Sequence, residues 1–231
     1  MDSATAAALA EAFRRFDDDD ALAVAILTGA GNTFCAGFDL KELATAPSHY
    51  RLDASGDGPM GPTRMSLSKP VIAAIEGYAV AGGLELALWC DLRIAGRDAV
   101  LGVFNRRFGV PLIDLGTIRL PRLVGEAHAM DLILTGRPVP AEEALRMGLV
   151  SRLVDGGEAL NEARKIATQI AGFPQGAVRA DLQSVKAQWS LSRDEAIRSE
   201  YEGGVKVIAS GEAQAGASEF SKGKGRHGET A

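Results

Sequence analysis

Two glycine-rich turns constrain this chain more than any other feature, because each follows a short apolar run and each has a carboxylate nearby. The first, TGAGNTFCAGFDLKE, covers residues 28–42 and follows LAVAILT at 22–28. The second, EGYAVAGGLELAL, covers 76–88 and follows the apolar run VIAAI. Such runs, bounded by turn residues, read as buried strands. Gly82 and Gly83 precede a helical pattern, LELALWC, whose first turn carries Glu85. Free backbone N–H groups at a helix start, with the dipole behind them, suit a developing anion. Glycines let a ligand approach the backbone closely. One such turn can be tight strand-to-helix packing, whereas two in this order and separation point to a site.

Other chemistries find less support. A dinucleotide fingerprint at Gly29-Ala30-Gly31 fails, because Phe34 holds the third glycine position and no helix opens there. No GxSxG elbow occurs, which argues against an α/β-hydrolase. Cys35 and Cys90 fit no metal spacing and read as small core residues, while His49, His128 and His227 lie far apart and read as surface or packing residues. No metal site and no Cys–His nucleophile is expected. Asp17 to Asp20 read as a solvated turn that ends the first helix rather than a calcium loop.

At 231 residues the chain suits one large domain, or a core with a small appendage. With a net charge of −5, a nucleic-acid surface would have to be local. Arg106-Arg107 and the tail SKGKGRHG are basic spots without interleaved aromatics, so no nucleic-acid partner is expected. No run approaches the roughly 18 apolar residues of a membrane span. The opening MDSATAAALAEAFRRFDDDD lacks the pattern of a signal peptide, and a cytoplasmic protein is expected.

Leu9, Phe13 and Phe16 sit at helical spacing in 4–16, with Ser3 and Thr5 as candidate caps. Residues 43–68 are rich in Gly, Pro and Ser and read as a connection with one short helix at most. LRIAG, AVLGV and LVSRLV read as strands. From Glu126 onward helices dominate, over 126–134, 141–147, 158–171, about 175–189 and about 192–209.

The residues carry a family resemblance. FCAGFDLKE resembles the F-x-x-G-x-D-[LI]-x-E pattern of the crotonase (enoyl-CoA hydratase/isomerase) superfamily, and KPVIAAIEGYAVAGGLELALWCDLRIA resembles its second signature. The likeness continues through LILTGRPVPAEEALRMGLVSRLV to EFSKGKGRHG. It implies an α/β crotonase spiral of repeated β-β-α units, with two roughly perpendicular sheets over 1–125 and a helical trimerisation region over 126–231. It also implies an acyl-CoA thioester substrate, no separate cofactor, and a homotrimer or dimer of trimers.

Carried onto this sequence, the oxyanion-hole donors are the N–H groups of Phe38 and Gly82, and Glu85 is the first catalytic glutamate. Ala36, Asp39, Leu40, Lys41 and Trp89 are candidate substrate-binding residues, with Asp39 and Lys41 shaping the loop. The sequence departs from the family at Asn105, where F-G-x-P-E has the second glutamate; an amide cannot exchange a proton at neutral pH. Asp114, three residues before Thr117, resembles the D-x-G-T of dienoyl-CoA isomerases and is a candidate acid, with Arg106 or Arg107 expected to pair with an acid in or near the pocket. Relatives open with strands containing R-P-x-x-x-N-A. The expectation is that these strands are missing here, which would expose a sheet edge and weaken CoA binding. Hydratase or isomerase chemistry through Glu85 leads. Alternatives are an isomerase or acyl-CoA hydrolase using Asp114, and a non-catalytic acyl-CoA-binding protein.

Overall fold

The computed structural model describes residues 1–46, 49–50 and 52–223; the basic tail beyond Gly223, with His227, lies outside the described residues. Helix α1 spans Ser3–Asp18, and its cap is Asp2 rather than Ser3 or Thr5: the Asp2 carboxylate accepts the Thr5 N–H at 2.8 Å. Ser3 is engaged elsewhere, its hydroxyl donating to Glu42 Oε1 at 2.6 Å. Ala6, Ala10, Phe13 and Phe16 recur every three or four residues and form the buried stripe of α1. Phe13 meets the Trp89 ring edge-on at 4.6 Å. Asp17 is not a solvated turn residue, because its carboxylate accepts the Ser68 N–H and hydroxyl, each at 2.9 Å. Lys69 is fully buried and closes the same helix end, donating from Nζ to Phe16 O at 2.9 Å and Asp19 O at 2.7 Å. These are carbonyls that a helix terminus leaves without intrahelical partners.

Strand β1 (Ala25–Thr28) is shorter than the apolar run that announced it, and α2 (Leu40–Thr45) is the short helix of the following connection. β2 (Val71–Ile75) is buried along its whole length and pairs in parallel with β1 on one side and β4 (Leu92–Gly96) on the other. β7 (Arg152–Val154) completes this sheet in the order β1-β2-β4-β7. A second sheet, β3-β5-β6, is built from β3 (Tyr78–Val80), β5 (Val100–Gly102) and β6 (Val139–Pro140).

The pleat sends alternate residues of β2 to opposite faces. Ile72 and Ala74, with Ile94, pack on Ala159, Ala163 and Ile166 of the later helix spanning Ala159–Ala171. Val71, Ala73 and Ile75 face the main core, which contains α3 (Gly82–Trp89). All eight residues of α3 are buried. A helix reading GGLELALW has no polar face to give to water, so it is an interior element. Next in the chain come α4 (Gly116–Val124), α5 (Glu126–Thr135) and α6 (Ala141–Arg146).

The second half is not a separate body. β6 and β7 each add a strand to a sheet begun in the first half, and α7 (Ala159–Ala171) covers one face of it. Of the α-helices after α3, α8 (Gln175–Ala187), α9 (Arg193–Ala209) and α10 (Glu212–Ser221) carry no buried residue. Among the described residues, no helix is long and apolar enough to cross a membrane.

Lys69→Met tests the closure of α1. It keeps the apolar stem but removes the donor of the Phe16 carbonyl and leaves the Asp19 carbonyl only the Leu22 N–H. The expected cost is about 2 kcal/mol, read as a lower denaturant midpoint at unchanged slope; an unchanged midpoint would refute this role.

Candidate active site

The two glycine-rich turns meet along one edge. Cys35 forms a parallel bridge with Ala79, with Cys35 N–H donating to Tyr78 O at 2.9 Å and Val80 N–H to Cys35 O at 3.0 Å. Side chains are excluded at this contact. A Cβ on Gly83 would run into the Cys35 carbonyl, and one on Gly37 would sit 2.9 Å from the Gly82 nitrogen. Gly37 also has φ of +93°, a region that favours glycine. Neither the Phe38 nor the Gly82 N–H has an acceptor among the described residues.

Beside these turns lies a cavity of about 300 Å³. Ala36, Phe38 and Leu40 line it from the first turn, and Val80, Ala81, Gly82 and Glu85 from the second. The remaining wall is Phe104, Asn105, Phe108, Val110 and Pro111. Apart from Glu85 and Asn105 the side chains are apolar, as in pockets that fix a ligand with a few polar groups.

Glu85 is 3% exposed. Its Oε1 accepts two backbone N–H groups, from Asp114 at 2.9 Å and Gly116 at 2.8 Å, and Oε2 has no partner among the described residues. Burial pushes this carboxyl up to about 7, helped by the charge of Asp114 and opposed by the two N–H groups and Arg119. Its ordinary value is 4.5. The cradle depends on Leu115, which adopts the left-handed region at φ 69° and so turns the flanking N–H groups to one side. At Gly116 a Cβ would stand 2.7 Å from Glu85 Oε1.

Asn105 lines the cavity and is 6% exposed, with Nδ2 donating to Val110 O at 2.8 Å. Asp114 is fully buried but does not line the cavity; its Oδ1 takes the Met60 N–H at 3.0 Å and the Thr63 hydroxyl. Burial pushes its carboxyl up, with the Thr63 hydroxyl the leading opposing influence.

Trp89 is a core residue away from the cavity, its indole N–H donating to Met65 O at 3.0 Å. Asp39 caps α2 by accepting the Lys41 N–H at 2.9 Å, and neither Asp39 nor Lys41 lines the cavity. Arg106 and Arg107 hold no acid: their guanidiniums donate to the Ile133 and Gly136 carbonyls, and Arg107 stacks on Phe104. Phe104, Phe108, Val110 and Pro111 were not anticipated as pocket walls. The aromatic spacing of VFNRRFGVP was the available signal.

Two apposed glycine turns and one buried carboxylate thus meet at an apolar cavity. The chain belongs to the enoyl-CoA hydratase/isomerase family, whose model matches residues 1–227. It is similar to the enoyl-CoA hydratase EchA19 of Mycobacterium tuberculosis, at 36% identity over 93% of this chain and 82% of the relative. It is also similar to a carnitinyl-CoA dehydratase of Proteus mirabilis, at 39% identity over 91% of this chain and 78% of the relative. Among solved structures, the enoyl-CoA hydratase EchA1 of Mycobacterium marinum superposes with a TM-score of 0.89 at 37% identity, over 96% of this chain and 86% of that one. The fold is therefore the crotonase fold, and the chain is an acyl-CoA enzyme of the hydratase/isomerase type.

The raised carboxyl has a cost that can be measured. Between about pH 4.5 and 7 the folded Glu85 holds a proton that the unfolded chain has released. The native state binds more protons there, so this group's stabilisation falls as pH rises through that window. Glu85→Gln can accept the same two N–H groups without ionising. It is expected to flatten the decline and to exceed the wild type above pH 7, by up to roughly 3 kcal/mol. Parallel stability–pH curves for the two proteins would sink this account.

Proposed function

We propose that the chain adds water to an α,β-unsaturated acyl-CoA, or removes it from the hydroxyacyl-CoA, with Glu85 as the group that carries the proton. The observation that carries this reading is the fixed Glu85 carboxyl, with one oxygen cradled and the other free at an apolar cavity. The Phe38 and Gly82 N–H groups, both lacking acceptors among the described residues, form the oxyanion hole for the thioester oxygen. Their value rises where negative charge develops, and the start of α3 adds its dipole.

In hydration, a water oxygen bonds to Cβ while Glu85 takes one of that water's protons. The Cα–Cβ π electrons move toward the thioester carbonyl and give an enolate held by the two N–H groups. Glu85 then returns a proton to Cα, so one carboxylate serves as base and then acid. A carboxyl titrating near 7 suits both roles. Asn105 contributes orientation and no proton. The dehydratase among the relatives supports running the same steps in reverse.

The reading keeps the reactive acyl carbons near Glu85 and the acyl tail along Phe38, Phe104 and Phe108. Isomerase or hydrolase chemistry through Asp114 draws no support from a carboxyl that does not line the cavity. We also propose that α8–α10 support a homotrimer or dimer of trimers. Ile197, Tyr201, Val205 and Ile208 of α9 are exposed apolar side chains that self-association would cover.

Turnover of crotonyl-CoA, followed by loss of the conjugated enoyl absorbance, tests the chemistry. Glu85→Gln is expected to lose on the order of 10²–10⁴ in rate while still binding acyl-CoA. A folded, CoA-binding wild type without turnover would rule out short-chain hydration. For the assembly, sedimentation should give three or six times the 24.2 kDa chain mass. A monomer at micromolar concentration would refute it.

A further inference from the structure

The turn that cradles Glu85 is itself latched from behind. Asp114 Oδ1 accepts the Met60 N–H at 3.0 Å and the Thr63 hydroxyl, tying the turn to residues 58–63. Arg119 spans the same junction, donating to Asp114 O at 3.2 Å and to Thr63 O at 2.7 Å. Space at the latch is tight: a Cβ on Gly58 would stand 2.5 Å from Asp114 Oδ1. Met60 is fully buried, and its sulfur lies 2.7 Å from where a Gly82 Cβ would be. One residue therefore holds Asp114 with its backbone and packs against the Gly82 backbone with its side chain.

We propose that Asp114 is a positioning residue, whose ionised carboxylate locks the cradle of Glu85 to the 58–63 segment and supplies the negative charge that Glu85 faces. This rests on the reading of Glu85 as the proton carrier. Asp114 does not touch the reacting atoms, because it does not line the cavity. Its Oδ2 is buried without a donor among the described residues, while Oδ1 holds two.

The charged groups around the pair come from several elements. Glu85 faces Asp114 and Arg119, Asp114 also faces Arg64, and Arg119 additionally faces Cys90 and Asp91. The two donors on Oδ1 and the nearby Arg64 and Arg119 favour the charged form of Asp114 against its burial. Glu85, desolvated and facing that charge, is pushed up.

The test reads Glu85 itself. In protein labelled at glutamate carboxyl carbons, the Glu85 resonance is identified by its loss in Glu85→Gln and titrated by NMR. Asp114→Asn retains an acceptor for Met60 and Thr63 but removes the charge. The Glu85 midpoint, about 7 in the wild type, is expected to fall, with burial holding it above the ordinary 4.5. The limb of kcat/KM for crotonyl-CoA that reports this ionisation should move to lower pH, with KM within about twofold of wild type, since no contact to substrate is removed.

An unmoved midpoint in folded Asp114→Asn overturns the proposal. Loss of the limb together with a fall of about 10²–10⁴ in rate would make Asp114 a proton donor and overturn it equally. Should Asp114→Asn fail to fold, wild type labelled at aspartate carboxyl carbons as well decides: Asp114 must ionise at lower pH than Glu85, and the reverse order overturns the proposal. A wild type that neither binds nor turns over acyl-CoA would defeat the hydratase reading, while the NMR midpoint still decides the role of Asp114.

Discussion

The structure turns on one buried carboxylate accepting two backbone N–H groups. Glu85 can occupy an interior helix only because Asp114 and Gly116 replace part of the water that its oxygen has lost. That arrangement requires Leu115 in the left-handed region and a residue without a side chain at 116. A leucine at φ 69° is strained by about 1–2 kcal/mol, and strain of this kind persists where the surroundings over-determine it. Here the surroundings are the latch to 58–63 and the packing of α4.

The fold's contribution is to bring a short interior helix up against a second loop. β2 is central to its sheet, so α3 must lie on one of its faces and α7 on the other. β3 then carries the chain into α3, and the bridge from Cys35 to Ala79 fixes the first turn beside it. The alanines and glycines of these segments allow the backbones to approach closely; a larger residue at Gly83 would part them. Catalytic geometry and core packing are thus the same contacts, seen from two sides.

Much of this was legible in the residues. VIAAI and GGLELALW announced buried elements by their lack of any polar face, and the glycine pairs marked where backbones meet. The resemblance supplied roles for Phe38, Gly82 and Glu85, which the structure brings to one cavity. Other features depend on long-range contacts that periodicity does not encode. Trp89 was a candidate substrate-binding residue, yet its ring meets Phe13 and its indole N–H the Met65 carbonyl, away from the cavity of Glu85. Asp114 announced an acid but not its direction, which is set by partners 51 and 54 positions away. Asp17 looked solvated within an acidic run, and only folding brings Ser68 to it. Arg106 and Arg107 suggested an ion pair, but helix and turn carbonyls were closer.

Asn105 shows how a local bond can entrench a departure from the family pattern. Its amide nitrogen donates to the Val110 carbonyl, and Val110 is itself part of the cavity wall. A glutamate at 105 would meet that carbonyl with an ionised acceptor, leave its hydrogen bond unmade and bring a second charge into an apolar recess. Reverting this one residue would therefore not recreate a two-acid site. The surrounding loop fits the amide, and a glutamate there would need coordinated change along Asn105–Val110. With an amide at 105, the lining of the cavity keeps a single carboxylate, that of Glu85.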